Sequence, residues 1–175
     1  MATLVEMLKD FLSRNRTEIV NDWINSVVAT YPADSSNFLL KKKDQFHNPV
    51  GHAISEGLPA IIDQIFGDMD MEKIGPALDR LIRIRSVQDF SPAMAVQFLF
   101  DLKGILRKWM EKSDIAWDGE AEQLFDRVDR VSLFAFEIYT GCRDQMHEIR
   151  IREIKNRSAR FFGRLNGQPD EGDEG

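Results

Sequence analysis

The sequence predicts an all-α fold: a single-domain helical bundle of five to seven helices with a long C-terminal helix, for which a globin-like arrangement is one possible form. Apolar residues recur at helical spacing through most of the 175-residue chain, which is long enough to bury one core. No segment alternates as a strand would, and no Asn-Gly or Asp-Gly turn joins two β-branched runs. Six prolines and eleven glycines fall mostly where helices would start, bend or stop.

The first predicted helical segment runs from Leu4 to Tyr31. Its apolar residues follow the i, i+3, i+4, i+7 rule, and a break is expected at Ser13 to Asn15, which would divide it into two helices. The turn-rich stretch from Tyr31 to Asn37 predicts a loop. The basic run Lys41 to Lys43 is typical of a solvated helix face.

The most strongly specified stretch runs from Phe46 to Leu58. Asn48 can cap free backbone N–H groups, and Pro49 suits the first helical position because it has no N–H to leave unpaired. Gly51 and Gly57 lie inside the helical pattern, where each costs about 0.8–1 kcal/mol relative to Ala. We therefore interpret both glycines as points of close helix packing.

The remaining helix boundaries follow the same reasoning. Pro59 should kink or divide its helix, which Gly67 should end. The next helix should be capped by Asp70, with Gly75-Pro76 delaying its regular part, and Ser91-Pro92 repeats the cap-proline start. A last helix, capped by Asp118, should extend from Gly119 to Leu165 because Gly141 is the main breaker within it.

The second half of this last helix, residues 143–165, is basic and amphipathic. Between Arg143 and Arg164 there are seven Arg or Lys and three Asp or Glu, in a chain whose net charge is −6. A seam with spacings of four and three residues indicates dimerisation or docking of a partner helix. Peripheral membrane contact is the alternative, because Phe161-Phe162 lies among arginines. The seam consists of His147, Ile151, Ile154, Ser158, Phe161 and Leu165.

A polar cluster is expected where two unusual stretches meet. Arg83 and Arg85 flank Ile84, so one of the two should lie close to the buried face. A partly buried arginine usually needs a carboxylate, and the candidates are Asp89, four residues after Arg85, and Glu56 from another helix. The cluster either braces two helices internally or binds a small anion or another ligand. Its predicted members are His47, Asn48, Gly51, His52, Glu56, Arg83, Arg85 and Asp89.

The sequence argues against several functional classes. It contains no P-loop, dinucleotide-binding fingerprint, His-Glu-x-x-His or nucleophile elbow, so we expect no enzyme, catalytic residue, metal or cofactor. The acidic balance argues against nucleic-acid binding, and no apolar run approaches the ~20 residues of a membrane span. The lone Cys142 and the lack of a signal-peptide pattern favour the cytoplasm. Residues 1–165 should form the helical domain, and 166–175 a disordered acidic tail.

Two motif blocks carry a family resemblance that covers about Leu8 to Arg152. The sequence resembles the N-terminal domain of RsbRD-type RsbT co-antagonist proteins. The blocks are Phe46-x-Asn48-Pro49-Val50-Gly51-x-x-Ile54-x-Glu56-Gly57 and Ile82-Arg83-x-Arg85-x-Val87-Gln88-Asp89-Phe90-Ser91-Pro92-x-x-Ala95-Val96-x-Phe98.

The resemblance implies an all-helical sensory module, usually dimeric, that precedes a phosphorylated STAS domain in stressosome-type signalling complexes. Only ten polar residues follow Leu165, so we expect no STAS domain here and a signal passed to a partner protein instead. We therefore predict a non-catalytic, cytoplasmic sensor-like module that acts by protein–protein contact, and the resemblance implies a homodimer. The alternatives are a haem- or metal-binding redox sensor and an accessory protein of a membrane-bound respiratory complex.

Overall fold

The computed structural model describes residues 4–41, 46–88, 90–115 and 119–165, and within these ranges it contains six α-helices and no strand. The predicted all-α fold, the helix count and the long C-terminal helix are confirmed. The helices are α1 (Leu4–Val28), α2 (Ala33–Lys41), α3 (Pro49–Phe66), α4 (Met71–Val87), α5 (Pro92–Lys112) and α6 (Gly119–Leu165).

The chain divides into two compact units between Tyr139 and Thr140. In the first unit α3 packs against α4, and α1 packs against both α3 and α5, while α2 lies on α3. The fully buried Trp23 of α1 stacks on Phe98 of α5, with ring centroids 6.0 Å apart. Its indole N–H also donates to the Phe98 carbonyl oxygen at 2.6 Å, so the largest core side chain leaves no polar atom unpaired.

Helix α1 is continuous, so the predicted break at Ser13 to Asn15 is wrong. The Asn15 side chain donates to the Phe11 carbonyl oxygen one turn earlier at 2.8 Å, which keeps this polar residue within the helix. Arg14 pairs with Asp10 at i−4, which also supports the helical conformation. Phe11 is buried, and this packing outweighs the weak helix propensity of the polar residues that follow it.

The predicted loop from Tyr31 to Asn37 is too long, because α2 already begins at Ala33. The Pro32 carbonyl oxygen accepts hydrogen bonds from the backbone N–H groups of Ser35 and Ser36 at 2.9 and 3.0 Å. The turn residues therefore form the first turn of a short helix. Asp34 in that first turn is also favourable near the positive end of the helix dipole.

The predicted caps of three helices are confirmed. The side chains of Asn48, Asp70 and Ser91 accept hydrogen bonds from backbone N–H groups at the starts of α3, α4 and α5. Gly67 ends α3, as predicted, with its N–H bonded to the Asp63 carbonyl oxygen.

Two helices run through prolines that the sequence suggested would interrupt them. Pro59 does not divide α3, and Gly75-Pro76 does not delay α4, which begins at Met71. Each proline removes a single backbone hydrogen bond, while Ile61 and Ile62 of α3 and Leu78 of α4 are fully buried nearby. Core packing therefore outweighs the local cost.

The part of α6 up to Tyr139 completes the core of the first unit. Val128, Val131 and Ala135 are fully buried there. The Arg127 guanidinium donates to the carbonyl oxygen of Ile65 at 2.9 Å and to that of Gly67 at 2.6 Å. This arginine therefore satisfies backbone acceptors at the end of α3.

Some predicted features fall outside the described residues, namely Lys42, Lys43, the cap Asp118 and the tail 166–175. No described helix is both long enough and apolar enough to cross a membrane.

Candidate functional site

The structure places the predicted polar cluster at more than one location. Asn48 and Gly51 are joined by a hydrogen bond at the contact of α2 with α3. Arg85 lies at a different junction, where α1 ends and α5 begins. Asp89, the remaining predicted partner of Arg85, lies outside the described residues.

Asn48 connects two helices through both ends of its side-chain amide. The Oδ1 atom accepts from the Gly51 N–H at 2.8 Å, which caps α3. The Nδ2 atom donates to the carbonyl oxygens of Phe38 and Leu39 in α2 at 3.1 and 3.2 Å. Asparagine suits this position because an amide both accepts and donates, whereas an aspartate would direct a carboxylate at two carbonyl oxygens. Only 1% of Asn48 is exposed, so loss of the hydrogen bond at Oδ1 or of those at Nδ2 would leave buried backbone groups unpaired.

Gly51 and Gly57 are points of close helix approach, as the sequence predicted. A Cβ atom on Gly51 would collide with the Leu39 carbonyl oxygen of α2 and with the Asn48 side chain. A Cβ on Gly57 would lie 3.1 Å from Leu81 Cδ1 of α4. Both glycines therefore fix how closely α3 approaches its neighbours.

Arg85 is the most unusual side chain of the first unit, because a charged residue here is only 1% exposed. Its Nη1 donates to the Met94 carbonyl oxygen at 3.0 Å, and its Nη2 donates to Thr30 Oγ1 at 2.9 Å. Three aromatic rings surround the guanidinium, with centroids 5.6, 4.7 and 5.2 Å from Cζ. We call this group the Arg85 cage; its other members are Thr30, Tyr31, Phe90, Met94 and Phe98.

Among the described residues, the closest contacts of the Arg85 guanidinium are neutral groups. Burial lowers the pKa of Arg85 from its usual value, and the nearby Tyr31 and Asp101 partly offset this. Burial likewise raises the pKa of the Tyr31 hydroxyl, against the attraction of the Arg85 cation. The aromatic faces and the Met94 carbonyl oxygen direct negative potential toward the guanidinium.

The Arg85 cage is also connected to α6. The Tyr139 hydroxyl donates to the Phe90 carbonyl oxygen at 2.7 Å, and Tyr139 is buried. The rings of Phe90 and Tyr31 meet edge to face, 5.5 Å between centroids. The Arg85 cation thus lies at the centre of a group of contacts that joins the ends of α1 and α4, the start of α5 and the middle of α6.

The other predicted cluster members lie nearer to solvent. Glu56 is exposed, so it does not serve as the buried partner expected for Arg85. Arg83 is exposed and donates to Asp79 one turn earlier at 2.7 Å. His52 is half-buried and His47 is exposed. Arg83 and Arg85 are two residues apart, and such positions face different sides of a helix, which explains why Arg83 is exposed and Arg85 is buried.

Open cavities lie along α1. One of about 540 Å³ lies between α1 and α5 and includes Asp101 and Trp109. Another, of about 350 Å³, lies among α1, α2 and α3 and is bordered by Gly51. A smaller one, of about 240 Å³, lies among α1, α3 and α6. In the ranges that the structure describes, no group of three or more His, Cys, Asp or Glu side chains is arranged to hold a metal ion.

The second unit carries the predicted seam on an exposed helix. Ile151, Ile154 and Phe161 are 53%, 64% and 61% exposed, and His147 and Ser158 between them are exposed too. We call these five residues the α6 seam. The side chain of Leu165, the sixth predicted member, lies outside the described residues.

The sequence left open which of Arg83 and Arg85 is buried, and it did not show what surrounds the buried one. A single sequence does not show which elements meet, and the neighbours of Arg85 come from separate segments, namely Thr30, Tyr31, Met94 and Phe98. One feature of the sequence could have indicated an aromatic neighbour of Arg85, namely Phe90, which lies immediately before the helix cap Ser91. Such a residue often packs back onto the helix that follows.

Comparison with known proteins supports the resemblance. The model of the family described as the RsbT co-antagonist protein rsbRD N-terminal domain matches residues 17–154. No curated protein and no solved structure matched this chain. The matched range includes the Asn48–Gly51 contact, the Arg85 cage and the first part of the α6 seam.

Proposed function

We propose, from the premise that this chain belongs to the RsbT co-antagonist protein RsbRD N-terminal domain family, that it is a sensor-like signalling module. In this proposal the module acts by protein–protein contact and catalyses no reaction. Family membership supports the signalling role. The stressosome-type setting and the passage of a signal to a partner follow from the same resemblance, and they belong to the proposal.

The observation that carries the contact mechanism is the exposure of the α6 seam. Ile151, Ile154 and Phe161 each leave more than half of their surface in water, and they repeat at the spacing of a coiled-coil seam. Isolated exposed apolar residues are normal on proteins, but a row of them at regular helical spacing marks an interaction surface. An amphipathic helix of another chain is the natural complement of such a row.

The Arg85 cage is the proposed origin of the signal within the first unit. It joins four helices around a buried cation, and loss of one contact would weaken the others, including the bond from Tyr139 to the Phe90 carbonyl oxygen. Tyr139 and Ile151 belong to the same helix, α6. We propose that rearrangement of the cage changes how α6 presents its seam.

Two occupants fit the proposed contact: a second copy of the chain, as the sequence predicted, or a different protein. We propose the cytoplasm as the location, which the lone cysteine supports because disulfides occur mainly in secreted and extracellular proteins. The haem or metal sensor and the respiratory accessory protein remain separate hypotheses, and no described contact favours either one.

The test uses paired variants of the full chain. Ile154→Asp with Phe161→Asp places two carboxylates on the seam, whereas Ile149→Asp places one on the opposite side of α6, where Ile149 is 54% exposed. Each protein would serve as bait for affinity purification from its own cells, with quantitative mass spectrometry. A partner that is lost with the double variant and retained with the control supports the proposal. Equal recovery with both variants, while circular dichroism shows intact helices, would refute it.

A further inference from the structure

The cavity of about 350 Å³ among α1, α2 and α3 has the size and the lining of a ligand site. We propose that it binds a small uncharged molecule that is mostly aliphatic and carries one polar group, such as an alcohol or an amide. This inference rests on the proposed sensor role and deepens it by adding the class of ligand. We call the site the α2 cavity, because Leu39 and Leu40 of α2 form one of its walls.

The floor of the α2 cavity is apolar and belongs to the core. Val28, Leu39 and Ile54 come from three different helices, and all three are buried. Ile24 of α1 adds a half-buried aliphatic side chain. Protein interiors rarely leave voids larger than a water molecule, whereas ligand pockets commonly measure about 300–1,000 Å³. A space of this size against aliphatic side chains therefore suits an aliphatic ligand.

Three neutral polar side chains border the same cavity. Asn21 and Asn25 lie at its exposed side, and neither side-chain amide has a hydrogen-bond partner among the described residues. Ser55 Oγ donates to the His52 carbonyl oxygen at 3.2 Å, which leaves its lone pairs available to a donor on the ligand. Because an amide both donates and accepts, these groups can bind a hydroxyl or an amide of the ligand.

The lining favours an uncharged ligand over an ion. Among the described residues that border the α2 cavity, none is charged. The charged neighbours of these residues in sequence, Asp22, Lys41 and Glu56, are exposed and do not border the cavity. Transfer of an ion from water to a site without a counter-charge is strongly unfavourable. The larger cavity between α1 and α5 differs, because two carboxylates and a lysine border it.

Helix α2 is a wall with few core contacts. Leu39 is the single buried residue of this nine-residue helix. Polar contacts hold its first and last turns instead, because Ser36 Oγ donates to the Val28 carbonyl oxygen and Asn48 Nδ2 donates to the Leu39 carbonyl oxygen, both at 3.2 Å. A segment with few buried apolar contacts has low local stability. A ligand that packs against Leu39 and Leu40 would therefore stabilise α2.

The α2 cavity is connected to the Arg85 cage through the chain segment between α1 and α2. Val28 borders the cavity, and Thr30, two residues later, accepts a hydrogen bond from Arg85 Nη2. Tyr31 of the cage lies two residues before the start of α2. A ligand that stabilises α2 would thus act directly on the segment that holds the Arg85 guanidinium. The cavity therefore adjoins the proposed origin of the signal.

The experiment compares three probes that share one octyl chain and differ in charge, namely octan-1-ol, octanoate and octylammonium. Each would be titrated below its solubility or micelle limit into the ¹⁵N-labelled full chain at neutral pH and followed by amide NMR shifts. Octanol should give saturable shifts at residues of the α2 cavity, with a Kd at least about tenfold lower than that of either ion. Hydrogen exchange of α2 amides should become slower when octanol is bound.

Two variants obstruct the cavity and leave the α6 seam unchanged. Ser55→Leu fills it from α3, and Asn21→Trp blocks its exposed side from α1. Each should weaken octanol binding by about tenfold or more. Ala60→Leu is the matched control, because Ala60 is exposed on α3 and does not border the cavity. Circular dichroism checks folding, and Asn21→Trp, at an exposed position, provides the test if Ser55→Leu does not fold.

Three results would overturn the inference. The first is the absence of saturable shifts with octanol. The second is equal affinity for octanol and for either ion, because that result removes the argument from charge. The third is unchanged octanol binding by both obstructed variants. If octanol fails to bind while cellular partners still depend on the α6 seam, the inference fails and the proposed function stands. If octanol binds as expected while partner recovery is independent of the seam, the ligand site stands and the proposed contact mechanism fails.

Discussion

Replacement of Gly51 by Ala tests whether the family motif is a packing constraint. In an ordinary helix interior this change stabilises the protein, because Ala is favoured over Gly by about 0.8–1 kcal/mol. At Gly51 the new methyl group would collide with the Leu39 carbonyl oxygen and the Asn48 side chain. The structure therefore predicts the opposite sign.

The magnitude follows from three contributions. Overpacking of a dense contact costs about 1–3 kcal/mol. Displacement of Asn48 weakens the cap of α3, which contributes about 0.5–2 kcal/mol. The helix propensity of Ala offsets about 1 kcal/mol of this. The net effect should be a loss of roughly 2 kcal/mol, which lowers Tm by about 4–8 °C for a chain of this size.

The assay is thermal and urea unfolding of the full chain, followed by circular dichroism. Gly104→Ala is the matched control, since Gly104 lies within α5 and a Cβ there would have no heavy atom within 4 Å. That variant should be stabilised by about 0.5–1 kcal/mol. Stabilisation of both variants by the same amount would refute the close-packing account of Gly51.

Three further predictions concern the Arg85 cage and cofactors. Arg85→Lys keeps the charge but cannot reproduce the planar guanidinium that reaches both Met94 and Thr30. Urea unfolding should therefore show that the free energy of unfolding falls by about 2–4 kcal/mol. In the control, exposed Arg83→Lys should change it by less than about 0.5 kcal/mol. Burial raises the pKa of Tyr31 above its unfolded value near 10, so its contribution to stability is complete below about pH 10 and declines at higher pH. The variant Tyr31→Phe should therefore lose less stability than the unmodified chain between about pH 9 and 11. An unchanged pH profile of stability would refute this assignment. The purified protein should show no Soret band and no stoichiometric iron, and either signal would favour the haem or metal hypothesis.

The general fold was accessible from the sequence because helix signals are local. Asn48-Pro49 and Ser91-Pro92 mark helix starts through backbone hydrogen bonding that involves only a few neighbouring residues. The errors occurred where tertiary packing outweighs a local preference. Pro59 lies in a continuous α3, and the polar stretch after Phe11 lies in a continuous α1, because buried faces hold both helices together.

The candidate site was only partly predictable. The position of Ile84 between Arg83 and Arg85 indicated that one of these arginines lies close to the buried face, and Arg85 is the buried one. Its partners were not evident, because Thr30 is 55 residues away in sequence and because a buried arginine is normally expected to find a carboxylate. The contacts of Arg85 with aromatic rings and with a backbone carbonyl oxygen involve no charged partner that could be recognised in the sequence.

The most direct test of the account is site-specific photo-crosslinking at the α6 seam in cells. A photoreactive phenylalanine analogue would replace Ser158, which lies in the seam, and in a second strain Ile149, which is exposed on the opposite side of the helix. The account predicts a discrete adduct with another protein at position 158, at least several times stronger than at position 149. No adduct at position 158, or equal labelling at both positions, would contradict the claim that this module signals through its α6 seam.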